Sequence, residues 1–242
     1  MIDSDTASNL LAVVLPLALA FASFYAAVYA YQRHTYNKSN YFAITQNSYR
    51  KVMRDKGLRG EYRTASRLEK VPGNKKILLN LYVPKGERDT TEIDVVLIHA
   101  SGIYVLESKY YSGWIFGSEG DKMWTQTFPS GRKERFYNPI KQNQAHIRCL
   151  RNYLGQTPDI PYHSIIVFSG ESTLKKIKLT TSEHVVVTRR KLPSAVSAVA
   201  AKAQPLSDET LGYLYAKLWP LTQVSPEQKT AHIQRLQSKH GR

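Results

Sequence analysis

Three charged residues with the spacing D-x12-E-x-K, namely Asp94, Glu107 and Lys109, are the strongest candidates for chemistry in this sequence. Glu107 and Lys109 are two positions apart in a β-rich run, so on a strand both side chains point to the same face. Ile103 and Val105 share that face. A charged pair therefore continues an apolar row, where an uncompensated charge would cost several kcal/mol.

The placement of Asp94 relative to Glu107 depends on how two β-rich runs, 92–99 and 102–110, pair with each other. In a hairpin with a loop of two or four residues, Asp94 lies directly opposite Glu107. Two carboxylates this close repel each other when both are ionised, and a cation between them relieves the repulsion. A three-residue loop would shift the register by one and place the carboxylates on opposite faces.

Carboxylate oxygens with open coordination positions suit Mg²⁺ or Mn²⁺. Such a metal polarises a phosphodiester and lowers the pKa of bound water, and Lys109 beside it would orient that water or stabilise the developing negative charge. Metal-assisted hydrolysis of a phosphodiester is the reaction class that these residues indicate. Taken alone, they fit equally well a surface hairpin whose Asp, Glu and Lys form solvated cross-strand pairs.

Residues from 57 to about 155 resemble the nuclease-related domain (NERD) family, which itself resembles the PD-(D/E)xK restriction-endonuclease-like superfamily. The resemblance rests on the order and spacing of several short motifs. These are Gly60-Glu61, Glu92-Ile93-Asp94, the run from Gly102 to Glu107-Ser108-Lys109, Gly113 with Trp124, and Asn138-Pro139-Ile140-Lys141-Gln142.

The resemblance implies a Mg²⁺-dependent nuclease core in which Asp94 and Glu107 are metal ligands and Lys109 is the catalytic lysine. It also implies the Ser108 carbonyl as a further metal ligand. The Ser108 side chain stands between the two charged residues and is expected to point away from the site, because strand side chains alternate between faces.

The resemblance adds two residues from helices, Glu61 and Gln142, that would approach the site from either side. A carboxylate at Glu61 could instead serve only to favour a helix N-terminus. Gln144 is the alternative to Gln142 on the second helix. His146, four residues after Gln142, falls on the same helix face, although a packed or surface histidine is the favoured interpretation.

The apolar runs predict one α/β (α+β) domain, and the resemblance implies that it is a restriction-endonuclease-like core. Its central sheet is expected to be mixed but mainly antiparallel, with helices on its flanks. The predicted helices are 61–68, which follows Gly57 and Gly60, and 139–154, which Asn138 caps. The predicted strands are 77–83, 92–99, 102–110, 114–116, 162–168 and 184–188.

The chain has 34 Lys and Arg against 19 Asp and Glu, a net charge of +15. This excess favours a polyanionic partner, nucleic acid or an anionic membrane, and three basic clusters at 132–135, 175–178 and 189–191 favour nucleic acid. The alternative is a solvated basic face. The single cysteine excludes an intramolecular disulfide framework and any zinc site that needs two thiolates.

Residues 10–31 form an uncharged, apolar run of 22 residues, long enough as a helix to cross a hydrocarbon core of ~30 Å. A cleaved signal peptide would need a basic segment before it, whereas Asp3 and Asp5 stand there. Basic residues follow the run. The positive-inside rule therefore predicts a single-pass protein of the cell membrane, with its N-terminus outside and its C-terminal domain in the cytoplasm.

The predicted function is a membrane-anchored, Mg²⁺-dependent (or Mn²⁺-dependent) nuclease acting on nucleic acid, with DNA favoured over RNA. The alternative is a non-catalytic, membrane-tethered nucleic-acid-binding or scaffold protein on the same fold. The basic segment 33–56 would bind anionic lipid or serve only as a topology signal. The predicted organisation is an extracytoplasmic tail at 1–9, a transmembrane helix at 10–31, a basic linker at 32–56, a nuclease-like domain at 57–190 and a helical region at 191–242.

Overall fold

The computed structural model describes residues 4–86, 89–155, 160–225, 227–231 and 234. It divides into two compact units, Met1–Arg50 and Lys51–Arg242. All of the predicted site residues belong to the second unit.

The first unit consists mainly of a long helix, α1 (Ser4–Asn37), followed by the short helix α2 (Asn40–Thr45). In the described part of the chain, Ala12–Asn37 is the one helical segment long and apolar enough to cross a membrane. None of the most apolar stretch of this segment is buried in the protein. The tail of α1 continues past the predicted span, and Tyr36 there packs against Tyr41 and Tyr49.

The second unit has an α+β architecture with two mixed sheets. Its helices are α3 (Tyr49–Arg54), which spans the boundary between the units, α4 (Lys56–Leu68), α5 (Pro139–Leu154), α6 (Leu192–Ala200) and α7 (Asp208–Leu218), with short 3₁₀ helices at Arg189–Lys191 and Trp219–Thr222. Its strands are β1 (Lys75–Lys85), β2 (Asp89–His99), β3 (Gly102–Lys109), β4 (Gly113–Ser118), β5 (Met123–Thr127), β6 (Lys133–Tyr137), β7 (Tyr162–Phe168), β8 (Ser172–Lys178) and β9 (His184–Thr188).

The first sheet has the strand order β1-β2-β3-β7-β9. Strands β1, β2 and β3 are antiparallel neighbours, whereas β3, β7 and β9 run parallel. The second sheet has the order β6-β5-β4-β8 and combines antiparallel pairs with the parallel pair β4–β8. The predicted fold class, a mixed α+β core with helices on the sheet and an apolar helix before it, is confirmed.

Three strands were missing from the sequence prediction, β5, β6 and β8, of which β6 and β8 lie at the edges of the second sheet. These two edge strands contain most of two of the three basic clusters and have mostly exposed side chains. An edge strand carries Lys and Arg because those charges discourage pairing with another chain. The apolar alternation on which strand prediction depends is therefore weak in these two segments.

Helix α4 begins earlier than predicted. Asp55 caps it by accepting a hydrogen bond from the Leu58 amide at 2.9 Å. Gly60, expected to precede the helix, lies inside it and faces Tyr110, where an added Cβ would come within 3.2 Å of the Tyr110 ring. The glycine serves close packing here, so the predicted helix start at residue 61 was wrong.

Helix α5 is held against both sheets by two buried clusters. The first joins strands β1 to β3 with α5 and α7 and includes Leu78, Val105, Leu150 and Leu214. The second contains Ile115, Trp124, Ile140, Ile166 and Phe168, contributed by β4, β5, α5 and β7. The first turns of α5 are consequently fixed relative to the carboxyl end of β3.

Asn138 starts α5 and ties it to the preceding loop. Its side chain is fully buried. Oδ1 accepts a hydrogen bond from the Ile140 amide at 2.9 Å, while Nδ2 lies 2.6–3.2 Å from the carbonyls of Ser118, Glu119 and Asp121. The predicted helix cap thus also donates hydrogen bonds to backbone carbonyls where β4 turns into β5.

We expect Asn138→Ala to lower the free energy of unfolding by about 2–4 kcal/mol, because the cap is lost and buried carbonyls lose their donor. Urea unfolding followed by tryptophan fluorescence, with the full chain in detergent, measures the change. Asn152→Ala, at an exposed position of the same helix, is the control and should change stability by less than about 0.5 kcal/mol. Equal effects of the two substitutions would contradict this role.

Candidate active site

Strands β2 and β3 form a hairpin with the two-residue loop Ala100-Ser101. Their register runs from His99 opposite Gly102 to Val95 opposite Leu106. This is one of the two loop lengths that the expected site requires, and continuing the register by one pair brings Asp94 opposite Glu107.

Asp94 leaves the ladder at this point and uses its side chain in place of a backbone pair. Its Oδ2 accepts a hydrogen bond from the Ser108 amide at 2.9 Å. The pKa of Asp94 is raised well above its usual value, first by burial and then by the negative charge of Glu107, with a further contribution from Glu61. The Ser108 amide and the Lys109 charge oppose this shift only in part. The charge on Glu107 therefore disfavours ionisation of Asp94, which is the repulsion that the sequence predicted for two carboxylates placed together.

Glu107 is the better compensated of the two carboxylates. Its side chain is 2% exposed, Oε1 lies 2.7 Å from Lys109 Nζ, and Oε2 lies 3.1 Å from His146 Nε2. Burial alone would raise the pKa of Glu107, but the Lys109 charge and the hydrogen bond from His146 lower it below its usual value. Glu107 is therefore ionised, and His146 must carry its proton on Nε2 because a carboxylate can only accept.

Lys109 is held between two acceptors. Its ammonium donates to Glu107 Oε1 and to Gln142 Oε1, the latter at 3.1 Å. Burial would lower the pKa of Lys109, but the adjacent Glu107 carboxylate raises it above its usual value. The lysine is thus a fixed positive charge at the end of β3.

Of the two glutamines considered on α5, Gln142 contacts Lys109 and Gln144 does not. Gln144 Nε2 lies 2.9 Å from the ring nitrogen of His184, at the start of β9. Between them Asn143 is buried and donates to the Val105 carbonyl at 2.8 Å and to the Ser164 hydroxyl at 2.9 Å. These bonds set the rotation of α5 that directs Gln142 toward Lys109.

Glu61 lies in the middle of α4, well past the Asp55 cap, so a role in starting the helix does not explain it. Its Oε2 lies 3.4 Å from Asn80 Nδ2, and its charge contributes to the raised pKa of Asp94. The structure therefore places Glu61 on the same side of the sheet edge as the Asp94 carboxylate.

Ser108 contributes its amide to Asp94, and its hydroxyl lies 3.4 Å from the Thr64 hydroxyl of α4. This places the side chain away from the Glu107–Lys109 face, as alternation along a strand requires. The assignment of its carbonyl as a metal ligand stays a prediction.

Two residues next to the site, Asn80 and His146, were not assigned to it from the sequence. His146 Nδ1 contacts the Thr91 hydroxyl at 2.9 Å, so the ring spans β2 and Glu107. Asn80 has a φ of 53° and interrupts β1 between two residues that pair with Val95 and Ile93. A polar residue inside an apolar strand run was the available signal for Asn80, since Asn tolerates the left-handed conformation.

The donor set suits Mg²⁺ better than a cage built from protein ligands alone. No group of three or more His, Cys, Asp or Glu able to hold a metal occurs within the described ranges. Mg²⁺ characteristically takes one or two carboxylates and completes its coordination with water and substrate phosphate. Each Glu107 oxygen accepts one hydrogen bond and retains a second lone pair. The Asp94–Glu107 pair therefore fits this ion.

Comparison with known proteins agrees with the resemblance seen in the sequence motifs. Residues 56–169 match the model of the nuclease-related domain family, NERD. An uncharacterized protein of Bacillus anthracis is 28% identical over 188 residues, which are 77% of this chain and 86% of that protein. No solved structure matches the chain.

The matched segment contains the β2–β3 hairpin, Glu61 on α4 and Gln142 on α5. The expected family resemblance is confirmed: residues 56–169 match the nuclease-related domain family.

Proposed function

We propose that this protein is a membrane-anchored, Mg²⁺-dependent nuclease that hydrolyses phosphodiester bonds of nucleic acid, DNA in preference to RNA, on the cytoplasmic side. The observation that carries the proposal is the buried Lys109–Glu107 ion pair beside Asp94 within a nuclease-related domain. Structural ion pairs of this kind are common, but a second carboxylate with a raised pKa next to the pair is typical of a functional site.

In this proposal Asp94 and Glu107 hold the metal, with the Ser108 carbonyl as a further ligand. The bound ion supplies Lewis-acid polarisation of the phosphate and a water of lowered pKa. Mn²⁺ would substitute, because it prefers the same oxygen ligands.

The remaining residues act on the water and the phosphate. Lys109 contacts Glu107, also interacts electrostatically with Asp94, and would stabilise the negative charge that develops on the phosphate. Gln142 accepts a second hydrogen bond from the Lys109 ammonium, which also donates to Glu107. Glu61 adds negative charge close to Asp94 and would accept a proton from a water in the site.

The second candidate is a non-catalytic nucleic-acid-binding module tethered to the membrane. One observation favours it: both Glu107 oxygens already have partners, Lys109 and His146, without any metal ion. The raised pKa of Asp94 argues in the other direction, because that carboxylate lacks the compensation a cation would supply.

For the anchor, we propose that α1 spans the membrane with its N-terminus outside. Two acidic residues precede the apolar run and basic residues follow it, which is the charge distribution expected for a cytoplasmic C-terminal side. The basic segment 33–56 would then lie at the inner membrane surface, where each Lys or Arg contributes about 1 kcal/mol toward anionic lipid.

Lys109→Ala tests the proposed function. We expect it to lower Mg²⁺-dependent cleavage of a labelled oligonucleotide by about 10²-fold or more, because a charge preorganised for the transition state is lost. Lys122→Ala removes an exposed lysine and should leave the rate unchanged. Undiminished cleavage by Lys109→Ala would reject the assignment, and metal-independent binding without cleavage would favour the tethered binding module.

Gln142→Ala and Gln144→Ala form a matched pair on α5. We expect Gln142→Ala to lower kcat about tenfold, the effect of losing one hydrogen bond to a charged group. Gln144→Ala, which removes a contact to His184 instead, should leave kcat within about twofold. Single-turnover cleavage at saturating protein measures both, and the reverse order of effects would assign the role to Gln144.

Asp94→Asn should make the protein more stable than the wild type at neutral pH in the presence of EDTA. The folded-state pKa of Asp94 is raised, so the folded state binds a proton that the unfolded chain releases above its own pKa of about 4. The free energy of unfolding of the wild type therefore falls as the pH rises from the unfolded-state pKa toward the folded-state pKa. The Asn variant has no such group to titrate and does not lose this stability.

Thermal unfolding from pH 4 to 8 in EDTA measures the difference, which should increase with pH. Adding Mg²⁺ should stabilise the wild type at neutral pH and have no such effect on Asp94→Asn, since ligand binding to the folded state raises stability. Equal responses of the two proteins to Mg²⁺ would remove Asp94 from the metal site.

A further inference from the structure

A basic cleft separate from the carboxylate site lies between α4, the segment after β7 and the segment after β9. It has a volume of about 680 Å³. Helix α4 lines it with Arg63 and Arg67, the turn after α4 adds Lys70, and the segment after β9 adds Arg189 and Arg190. We refer to the cleft lined by these five basic residues as the arginine cleft. Of the three basic clusters seen in the sequence, only the third contributes to it.

Arg189 is the buried member of the arginine cleft, with 6% of its surface exposed. Its Nε lies 3.3 Å from the Thr64 hydroxyl, and its guanidinium carbon lies 5.9 Å from the centre of the Tyr110 ring. Its Nη2 is buried and has no hydrogen-bond partner among the described residues. A buried donor left without a partner is costly, so this atom points to an acceptor that the chain itself does not provide.

The other four cations of the arginine cleft are exposed, two on α4, one in the turn after it and one beside Arg189. Arg63 and Arg67 are spaced i, i+4 and so share one face of α4. Over the part of the chain that the structure describes, no ion pair joins any of the five to an acid. Burial lowers the pKa of Arg189, and the positive charge of Arg63 lowers it further.

One acid, Glu171, lies near the cleft without neutralising it. Its Oε1 accepts a hydrogen bond from the Tyr110 hydroxyl at 2.7 Å. The Glu171 charge raises the pKa of Arg189, but burial and the Arg63 charge lower it by more. The arginine cleft thus concentrates uncompensated positive charge around a donor that has no partner. This is the complement of a compact anion with several oxygen acceptors, and arginine matches phosphate geometry well.

The arginine cleft and the carboxylate site lie along one edge of the first sheet. Strands β3, β7 and β9 are parallel neighbours, and their last residues, Lys109, Phe168 and Thr188, stand in register. Thr188 lines the cleft, while Lys109 belongs to the carboxylate site. Two strand spacings separate β3 from β9, about 10 Å. A single nucleic-acid strand can therefore reach both places.

We propose that the arginine cleft binds a phosphate group of the nucleic-acid substrate at a position distinct from the bond that is cleaved. The identity of the anion rests on the proposed function, whereas the presence of an anion site rests on the cleft itself. The bound phosphate places the strand so that a phosphodiester several bonds away reaches the carboxylates.

The test is the binding of a 3′-labelled single-stranded oligonucleotide to the full chain in detergent, followed by anisotropy at several NaCl concentrations. EDTA is present throughout, so no metal-dependent cleavage occurs. The substituted protein, called the cleft pair, carries Arg63→Gln together with Arg67→Gln. Both positions are exposed and helical, so glutamine is accommodated. The control carries Arg148→Gln with Arg151→Gln, an equal loss of charge from exposed positions of α5.

We expect the cleft pair to bind the oligonucleotide about tenfold or more weakly than the wild type. The slope of log affinity against log salt concentration should fall by the amount expected for one to two lost phosphate contacts, while both quantities change much less in the control. Comparing 5′-phosphate with 5′-hydroxyl oligonucleotides identifies the phosphate. A loss confined to the phosphorylated strand assigns the cleft to a strand end, and an equal loss for both assigns it to an internal phosphodiester. Either result supports the proposal.

Two results would overturn it. One is oligonucleotide affinity equal in the cleft pair and the control. The other is that millimolar inorganic phosphate stabilises the wild type but not the cleft pair, with oligonucleotide binding unaffected, which would assign the cleft to a free phosphate.

Failure of this proposal and failure of the nuclease assignment are separable. If Lys109→Ala retains cleavage but the cleft pair loses binding in EDTA, the phosphate site stands without the catalytic one. If the cleft pair binds normally while Lys109→Ala abolishes cleavage, the catalytic site stands alone.

Discussion

The candidate site depends on one ion pair, between Glu107 and Lys109 at the carboxyl end of β3. Both charges are largely withdrawn from water, so each needs a partner of fixed geometry. His146 and Gln142 complete the arrangement from two successive turns of α5. Because the pair is anchored in a central strand, the position of α5 on the sheet decides whether both charged groups have their further hydrogen-bond partners.

The same ion pair separates the behaviour of the two carboxylates. Glu107 receives the positive partners and has a lowered pKa, whereas Asp94 faces the Glu107 charge and has a raised pKa. Neighbouring titratable groups driven apart in this way are a general sign of divided chemical roles. Here the asymmetry follows from position, since the short turn places Asp94 opposite Glu107, while the hydrogen bonds from His146 and Lys109 go to Glu107.

Sheet topology extends this arrangement into a longer surface. The switch from antiparallel to parallel pairing at β3 brings the ends of three strands to one edge. Chemistry at the end of β3 and the positive charge after β9 consequently lie at the same end of the sheet. Basic residues placed on the edge strands β6 and β8 have a different physical role, because there they protect exposed backbone from pairing.

The sequence by itself determined the resemblance to the nuclease-related domain family, the D-x12-E-x-K spacing, the Asn138 cap and most of the strands, because each depends on local pattern and on side-chain alternation. Tertiary structure decided what local pattern does not contain. It selected the two-residue loop that places Asp94 opposite Glu107, and the rotation of α5 that presents Gln142 rather than Gln144. It also gathered the arginine cleft from segments more than a hundred residues apart. Contacts between distant segments depend on how helices pack across the sheet, and no spacing within one segment encodes that packing.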